Sequence, residues 1–278
     1  MEKVDSIARK YSEFMSKQLS DEICEIHDIH LWRISRPSVE GPVVQEFCPE
    51  CQKEAIRKKE DDLLQQSLVN AKLAQTFSVF RKESIISEDL KKANFNSYDT
   101  DTEFDVKALN FAKRICRSYY EGNSGNTVLM GVPGVGKSHL SVAMADALND
   151  SFKKAGKPKS ILFMPTARLF SKIKSSFNGG GGFTEEYAID LLTRVNYLFL
   201  DDLGKESCMS TQIKPASDWV QGVLFNILDQ RQTTVINTNF SRQQLLQIYD
   251  AALVDRIFKG STQNKQILIW PDNSVSKR

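Results

Sequence analysis

The stretch Gly131-Val132-Pro133-Gly134-Val135-Gly136-Lys137-Ser138 constrains this chain more than any other. Its spacing, G-x-x-x-x-G-K-[ST], carries chemistry only between a strand and a helix. Both are written in the flanking residues. Thr127-Val128-Leu129-Met130 is an apolar run that reads as a buried strand. From Lys137 to Ala155, apolar residues recur at Leu140, Ala143, Met144, Ala147 and Leu148, the spacing of one helix face. Glycines let backbone N–H groups approach phosphate oxygens, and a helix N-terminus adds partial positive charge. Gly131, Pro133, Gly134, Val135, Gly136, Lys137, Ser138 and His139 are therefore expected to hold a nucleoside triphosphate. Lys137 would reach its β- and γ-phosphates, and the Ser138 hydroxyl would ligate Mg²⁺.

The residues that follow supply the rest of such a site. Ser160-Ile161-Leu162-Phe163-Met164 reads as a second strand, with a helix from Thr166 to about Phe177, a flexible break over Asn178–Gly182 and a helix over Glu185–Val195. A third strand, Tyr197-Leu198-Phe199-Leu200, ends in Asp201-Asp202, the Walker B pattern. A parallel sheet keeps its ligands at the carboxyl ends of its strands. Asp201 is expected to hold Mg²⁺ and Asp202 to polarise the attacking water. Trp219–Gln230 reads as a helix, with Trp219 a packing residue. The fourth strand, Thr233-Thr234-Val235-Ile236, runs into Asn237-Thr238-Asn239. Asn239 is the expected hydrogen-bond partner of the lytic water or γ-phosphate, with Thr238 the second choice. Helices over Ser241–Tyr249 and through Leu253–Ile257 precede a final strand, Gln266–Trp270, stopped by Pro271; the polar residues from there to Arg278 are expected to be disordered. Strands alternating with helices predict a parallel sheet covered on both faces.

The first sixty residues carry different chemistry. After a loose helical pattern over Asp5–Leu19 come Cys24-Glu25-Ile26-His27 and Cys48-Pro49-Glu50-Cys51. Two such pairs suit a tetrahedral, structural Zn²⁺ held by three thiolates and one imidazole, Cys24, His27, Cys48 and Cys51; His30 competes with His27. A module this small buries too little apolar surface to fold without the metal. Cys116 and Cys208 read as ordinary small apolar residues. From Lys53 to Ser78 the text is charged and helical, and Arg57-Lys58-Lys59 is answered by Glu60-Asp61-Asp62, a solvated face rather than a nucleic-acid grip. The net charge of +2 gives no global polyanion signal, so any nucleic-acid contact must rest on a local patch. Met1-Glu2-Lys3-Val4-Asp5 is no signal-peptide core and no stretch approaches a membrane span, so the expectation is a cytoplasmic protein with no membrane partner.

With the phosphate loop, Leu-Phe-Leu-Asp-Asp-Leu-Gly at 198–204 and Ile-Asn-Thr-Asn-Phe at 236–240 in place, the chain resembles AAA+ ATPases. More narrowly, from about Ile85 to Trp270 it looks like the DnaC/DnaI-type helicase loaders of bacteria and phages. The resemblance implies an α/β fold with a five-stranded parallel sheet flanked by helices. It implies a zinc-binding, helicase-contacting module over residues 1–60, a helical linker over 61–84 and an AAA+ ATPase domain over 85–278. It further implies self-association into a ring or spiral, with Arg256 completing the neighbour's site as an arginine finger, set against a reading of Arg256 as an intrachain ion pair. The activity implied is delivery of a DnaB-type replicative helicase onto single-stranded DNA. Asp202, where many AAA+ proteins have Glu, implies slow, switch-like hydrolysis, and no second sensor arginine is apparent. Lys172 and Lys174, with Phe170 and Phe177, are candidate DNA contacts; they read equally well as a solvated face and a core face. An IstB-type transposition helper, which shares Asp-Asp-Leu-Gly, is the alternative, and a nucleotide-switched adaptor a third class.

Overall fold

A computed structural model of the chain describes residues 19–36, 43–177, 182–208 and 212–277. The chain divides into two units, Met1–Ala71 and Lys72–Arg278.

In the first unit, β1 (Leu19–Ile23), β2 (His30–Arg36) and β3 (Val43–Phe47) form an antiparallel sheet in that order. Sequence reasoning assigns no strand here, because the apolar residues at alternate positions are too few and stay exposed, among them Ile23, Val43 and Val44. The helix α1 (Pro49–Glu83), whose residues from Lys72 on belong to the second unit, starts four residues earlier and ends five later than expected. Proline is favoured in a first turn, where its missing N–H costs no bond, and Glu50 at one end with Arg81 and Lys82 at the other complement the helix dipole. Of the helical pattern over Asp5–Leu19, residues 5–18 lie outside the described residues, and Leu19 opens β1.

The second unit has α2 (Glu103–Tyr120), β4 (Thr127–Met130), α3 (Lys137–Lys154), β5 (Ile161–Pro165), α4 (Thr166–Ser176), α5 (Glu185–Arg194) and β6 (Tyr197–Leu203). It continues with α6 (Asp218–Asp229), β7 (Thr234–Thr238), α7 (Arg242–Ile248), α8 (Ala251–Ile257) and β8 (Ile267–Ile269). The five strands pair in parallel in the order β5-β6-β7-β4-β8. Alternate residues of each strand feed opposite faces, as the pleat requires. Val128, Leu162, Leu198 and Ile236 pack under α4 to α8. Leu129, Phe163, Phe199 and Val235 pack under α2 and α3, together with Phe77 and Phe80 from the end of α1. Both faces are therefore covered, which is why the strands read as unbroken apolar runs. The fold is the α/β type with a five-stranded parallel sheet flanked by helices that the resemblance implies.

Two differences bear on the site. The third and fourth core strands run past their apolar stretches, to Leu203 and Thr238, so that polar residues occupy ladder positions. Residues 272–277 are irregular but held in place, contrary to the expected disorder: the Lys277 N–H donates to the Gly134 carbonyl at 3.0 Å and its ammonium lies 2.9 Å from Asp105. A long-range ion pair of that kind leaves no trace in a local pattern. Of the break expected over 178–182, residues 178–181 lie outside the described residues. Among the described residues, no helix is long and apolar enough to cross a membrane.

Candidate nucleotide site and metal centre

The phosphate loop leaves the end of β4 and enters α3 at Gly136. Gly134 (φ 89°) and Gly136 (φ 91°) hold left-handed conformations that a side chain would strain. Pro133, Gly134, Gly136, Lys137, Ser138 and His139 line a cavity of ≈ 320 Å³ that also takes in Tyr98, Asp202, Lys205, Asn239 and Lys277. Gly131 and Val135 anchor the loop instead. A Cβ on Gly131 would stand 2.6 Å from Trp270 Cβ, and the Val135 side chain is buried in the core under α2 and α3. The Lys137 ammonium donates to the carbonyls of Gly131 (2.7 Å) and Val132 (2.9 Å), across the loop it serves. His139 contacts Ser97 Oγ at 3.2 Å and sits edge-on to Tyr98, joining the start of α3 to a segment whose irregular text gave no signal.

Ser138 Oγ donates to Asp201 Oδ1 at 2.9 Å, so the two groups expected to share a Mg²⁺ meet. Asp201 is buried, and burial with Asp202 alongside pushes its carboxyl above the usual range, against the pull of hydrogen bonds from Asn237 and Ser138. Such a carboxylate gains by a cation, which fits the donor set to a hard metal ion.

The acidic pair poses a geometrical problem, because successive strand residues point to opposite faces. The structure answers it with a bulge. The β6–β7 register shifts between Leu200, opposite Ile236, and Leu203, opposite Thr238, so one extra residue is inserted at the pair. Asp202 takes φ 57°, a left-handed value that Asp tolerates better than longer side chains. Asp201 thereby turns to Ser138 while Asp202 faces the cavity, where it accepts from Lys205 Nζ at 2.6 Å and Asn239 Nδ2 at 3.4 Å. Thr166 Oγ1 donates to the Asp202 carbonyl (3.0 Å) and Thr238 Oγ1 to that of Leu203 (2.8 Å). Thr238 thus braces the bulge and does not line the cavity, whereas Asn239 does. Half-buried Glu206 accepts from the Gly204 N–H (2.9 Å) and from the Tyr249 hydroxyl, fastening the turn beyond. Sequence reasoning missed Asn237, which donates to Asp201 at 2.6 Å and accepts from Ser141 at 2.7 Å. A buried amide inside an apolar strand was the available signal.

Arg256 lies elsewhere. Its carbonyl accepts from Asn126 Nδ2 at 2.8 Å, just before β4 begins, whereas the phosphate loop leaves the other end of that strand. Its guanidinium is held by Asp229 (2.5 Å) and Asp255 (3.2 Å), with Asp229 raising its pKa. Of the candidate DNA contacts, Phe170 is a core residue; Lys172 covers the Phe183 ring at 4.8 Å and Lys174 that of Trp219 at 5.6 Å. Phe177 is exposed and meets Trp219 edge-on. Trp219 packs, and its Nε1 donates to Glu185 at 2.8 Å.

In the first unit, one donor atom each from Cys24, His27, Cys48 and Cys51 lie within 4.8 Å of one another. Cys24 and Cys51 sulfurs are 3.6 Å apart, and His27 Nδ1 is 3.8, 3.6 and 3.3 Å from Cys24, Cys48 and Cys51. A tetrahedron of ~2.3 Å zinc–sulfur bonds has edges of about 3.8 Å, so the cluster fits zinc. His27 Nε2 faces Glu54 Oε1 at 3.3 Å, the outer partner that fixes a ligating imidazole. His30 is engaged elsewhere, with its Nδ1 3.0 Å from the Ser20 carbonyl. The His27 backbone N–H draws the Cys24 thiol down to about 6, while desolvation and the neighbouring sulfurs push Cys51 up to about 12.

Residues 52–276 match the family described as IstB-like ATP binding protein. The chain belongs to that family. The match begins at Gln52, one residue beyond Cys51, so the whole Cys/His cluster is additional to the family core. The replicative helicase loader DnaC of Buchnera aphidicola subsp. Acyrthosiphon pisum (strain APS) is 25% identical over 212 residues, covering 75% of this chain and 80% of its own length. DnaC of Escherichia coli (strain K12) is 24% identical over 176 residues, covering 62% and 65%. A crystal structure of the DnaC helicase loader is 21% identical, covers 66% of this chain and 100% of its own, and has a TM-score of 0.50, a likeness of fold. This member of the IstB-like family thus shares both sequence and fold with helicase loaders.

Proposed function

We propose that this protein is an ATP-dependent loader that places a ring-shaped DnaB-type replicative helicase on single-stranded DNA, hydrolysing ATP slowly as a switch. The contact of Ser138, which lines the glycine-cradled cavity, with buried Asp201 carries the reading, because it joins the two oxygen ligands a nucleotide-bound Mg²⁺ requires. Bound there, Mg²⁺ would neutralise charge on the transferred phosphoryl group. Lys137 would turn its ammonium from the loop carbonyls to the β- and γ-phosphates. Asp202, freed from Lys205, would accept the proton of the attacking water, and Asn239 would orient that water. Arg256 would serve the site of a neighbouring copy, since its own lies beyond the far end of β4. Residues 1–60, with a structural Zn²⁺, would contact the helicase, joined by the helical segment 61–84 to the ATPase over 85–278, in the cytoplasm.

Membership of the IstB-like family supports a second reading, the transposition helper ATPase that the sequence also resembles, whose partner would be a transposase and whose preferred DNA would be double-stranded. The cluster outside the family core favours the loader, because it adds a dedicated recognition module. Two measurements test the proposal. Lys137→Ala should weaken ATP binding by roughly 10- to 100-fold, the loss of one or two charge-assisted hydrogen bonds. Full-length protein used as bait should retain a replicative helicase; retention of a transposase instead would transfer the proposal to the second reading.

A further inference from the structure

The cavity has a wall that the motifs do not supply. The segment Pro271–Lys277 crosses the phosphate loop and touches it at Gly134, where a Cβ would stand 2.1 Å from Ser276 Oγ. Gly134 therefore has no side chain for two reasons: its own backbone angle and the passage of this segment. Lys277 fastens the crossing at both sides. Its N–H donates to the Gly134 carbonyl at 3.0 Å. Its ammonium donates to the Asp99 carbonyl at 2.7 Å and lies 2.9 Å from Asp105 Oδ1 and 4.0 Å from Asp99 Oδ2. It also covers the Tyr98 ring at 4.9 Å. Asp105 is itself buried and is fixed by the capping box of α2, in which Thr102 accepts from its N–H. The anchor is therefore rigid.

Tyr98 makes the arrangement more than a structural strap. Its ring presses within 3.1 Å of where a Gly136 Cβ would be, and it lines the cavity. Its hydroxyl is buried and has no hydrogen-bond partner among the described residues. A buried hydroxyl without a partner costs free energy that a ligand in the cavity can return. We infer that Lys277 is a positioning residue of the nucleotide site: by joining Gly134 to the Tyr98–Asp105 wall it holds the phosphate loop and the Tyr98 hydroxyl in the geometry that retains a bound nucleoside phosphate. This rests on the nucleotide reading above and adds to it a residue that no motif names. Its ammonium belongs to Asp105 and Asp99, so it acts through the loop and the tyrosine rather than by charge on the terminal phosphate.

The test uses the full-length protein and a fluorescent N-methylanthraniloyl ADP. Release from Lys277→Ala should be about 10-fold faster than from wild type, the scale of one lost charge-assisted hydrogen bond, and Lys277→Arg should restore most of the difference. Tyr98→Phe should also speed release without altering the melting temperature downward. Hydrogen exchange without nucleotide should be faster at residues 133–136 in Lys277→Ala and unchanged in β5 and β6. Equal release rates and equal loop exchange in wild type and Lys277→Ala would overturn the inference while leaving the nucleotide site standing. Wild-type protein that binds neither the labelled ADP nor ATP would instead remove the nucleotide reading, and this inference with it.

Discussion

Asp202 shows how one residue can satisfy backbone and chemistry together. The bulge demands a left-handed residue, and the cavity demands a carboxylate; among acids, Asp meets both more readily than Glu, whose longer arm gives no local hydrogen bond in that conformation. Asp202→Glu should therefore lower thermal stability by about 1 kcal/mol and fail to raise the hydrolysis rate, even though it installs the acid common in AAA+ sites. Asp202→Asn should keep the melting temperature and ATP affinity while losing turnover, measured as phosphate release. An Asp202→Glu variant that is as stable as wild type and faster would refute this account of the short arm. The sequence showed both aspartates as an acidic pair after an apolar run, and it showed Lys137 and Ser138 by motif. It did not show Asn237, because a single amide inside a strand has no spacing to mark it. Nor did it show that Thr238 faces Leu203, which depends on the inserted residue shifting the register.

At the scale of elements, the core strands and helices were legible because each strand is an apolar run and each helix a periodic one, and the differences lie at their ends. The antiparallel strands β1 to β3 were not legible, since segments of five to seven residues with exposed apolar side chains carry no burial pattern. What was legible there was the ligand spacing, and the sheet brings the two pairs together. Cys24 and His27 lie between β1 and β2, while Cys48 follows β3 and Cys51 sits in the first turn of α1. With little apolar burial among the described residues of this unit, the metal should carry most of its stability. Freshly purified protein should contain stoichiometric zinc. A chelator should abolish hydrogen-exchange protection over β1 to β3 while leaving β4, the phosphate loop and ATP affinity as they were. Protection that survives complete zinc removal would show the sheet to be self-sufficient. Glu54→Gln should weaken zinc retention by about 10-fold through loss of the outer partner of His27.

For the whole molecule, the decisive feature is that Arg256 and the phosphate loop lie at opposite ends of β4, separated by about 13 Å of strand. Asp229 and Asp255 hold the guanidinium, so the intrachain ion pair weighed from the sequence is present, and the role between copies stays a proposal. Arg256→Ala should bind ATP normally and hydrolyse it at least about 100-fold more slowly, within the range attributed to such arginines. Mixed with Lys137→Ala, which keeps its arginine, it should regain part of the lost turnover. If the mixture stays as inactive as its components, or Arg256→Ala turns over normally, the arginine does not act between copies. The placement has an arithmetic consequence. If Arg256 fills the site of the next copy, as proposed, the copies join head to tail, and such a series either closes on itself or stays open. An open series of that kind would leave one socket unfilled, so its terminal copy would keep its nucleotide longest and mark, by that delay, which end of the array is which.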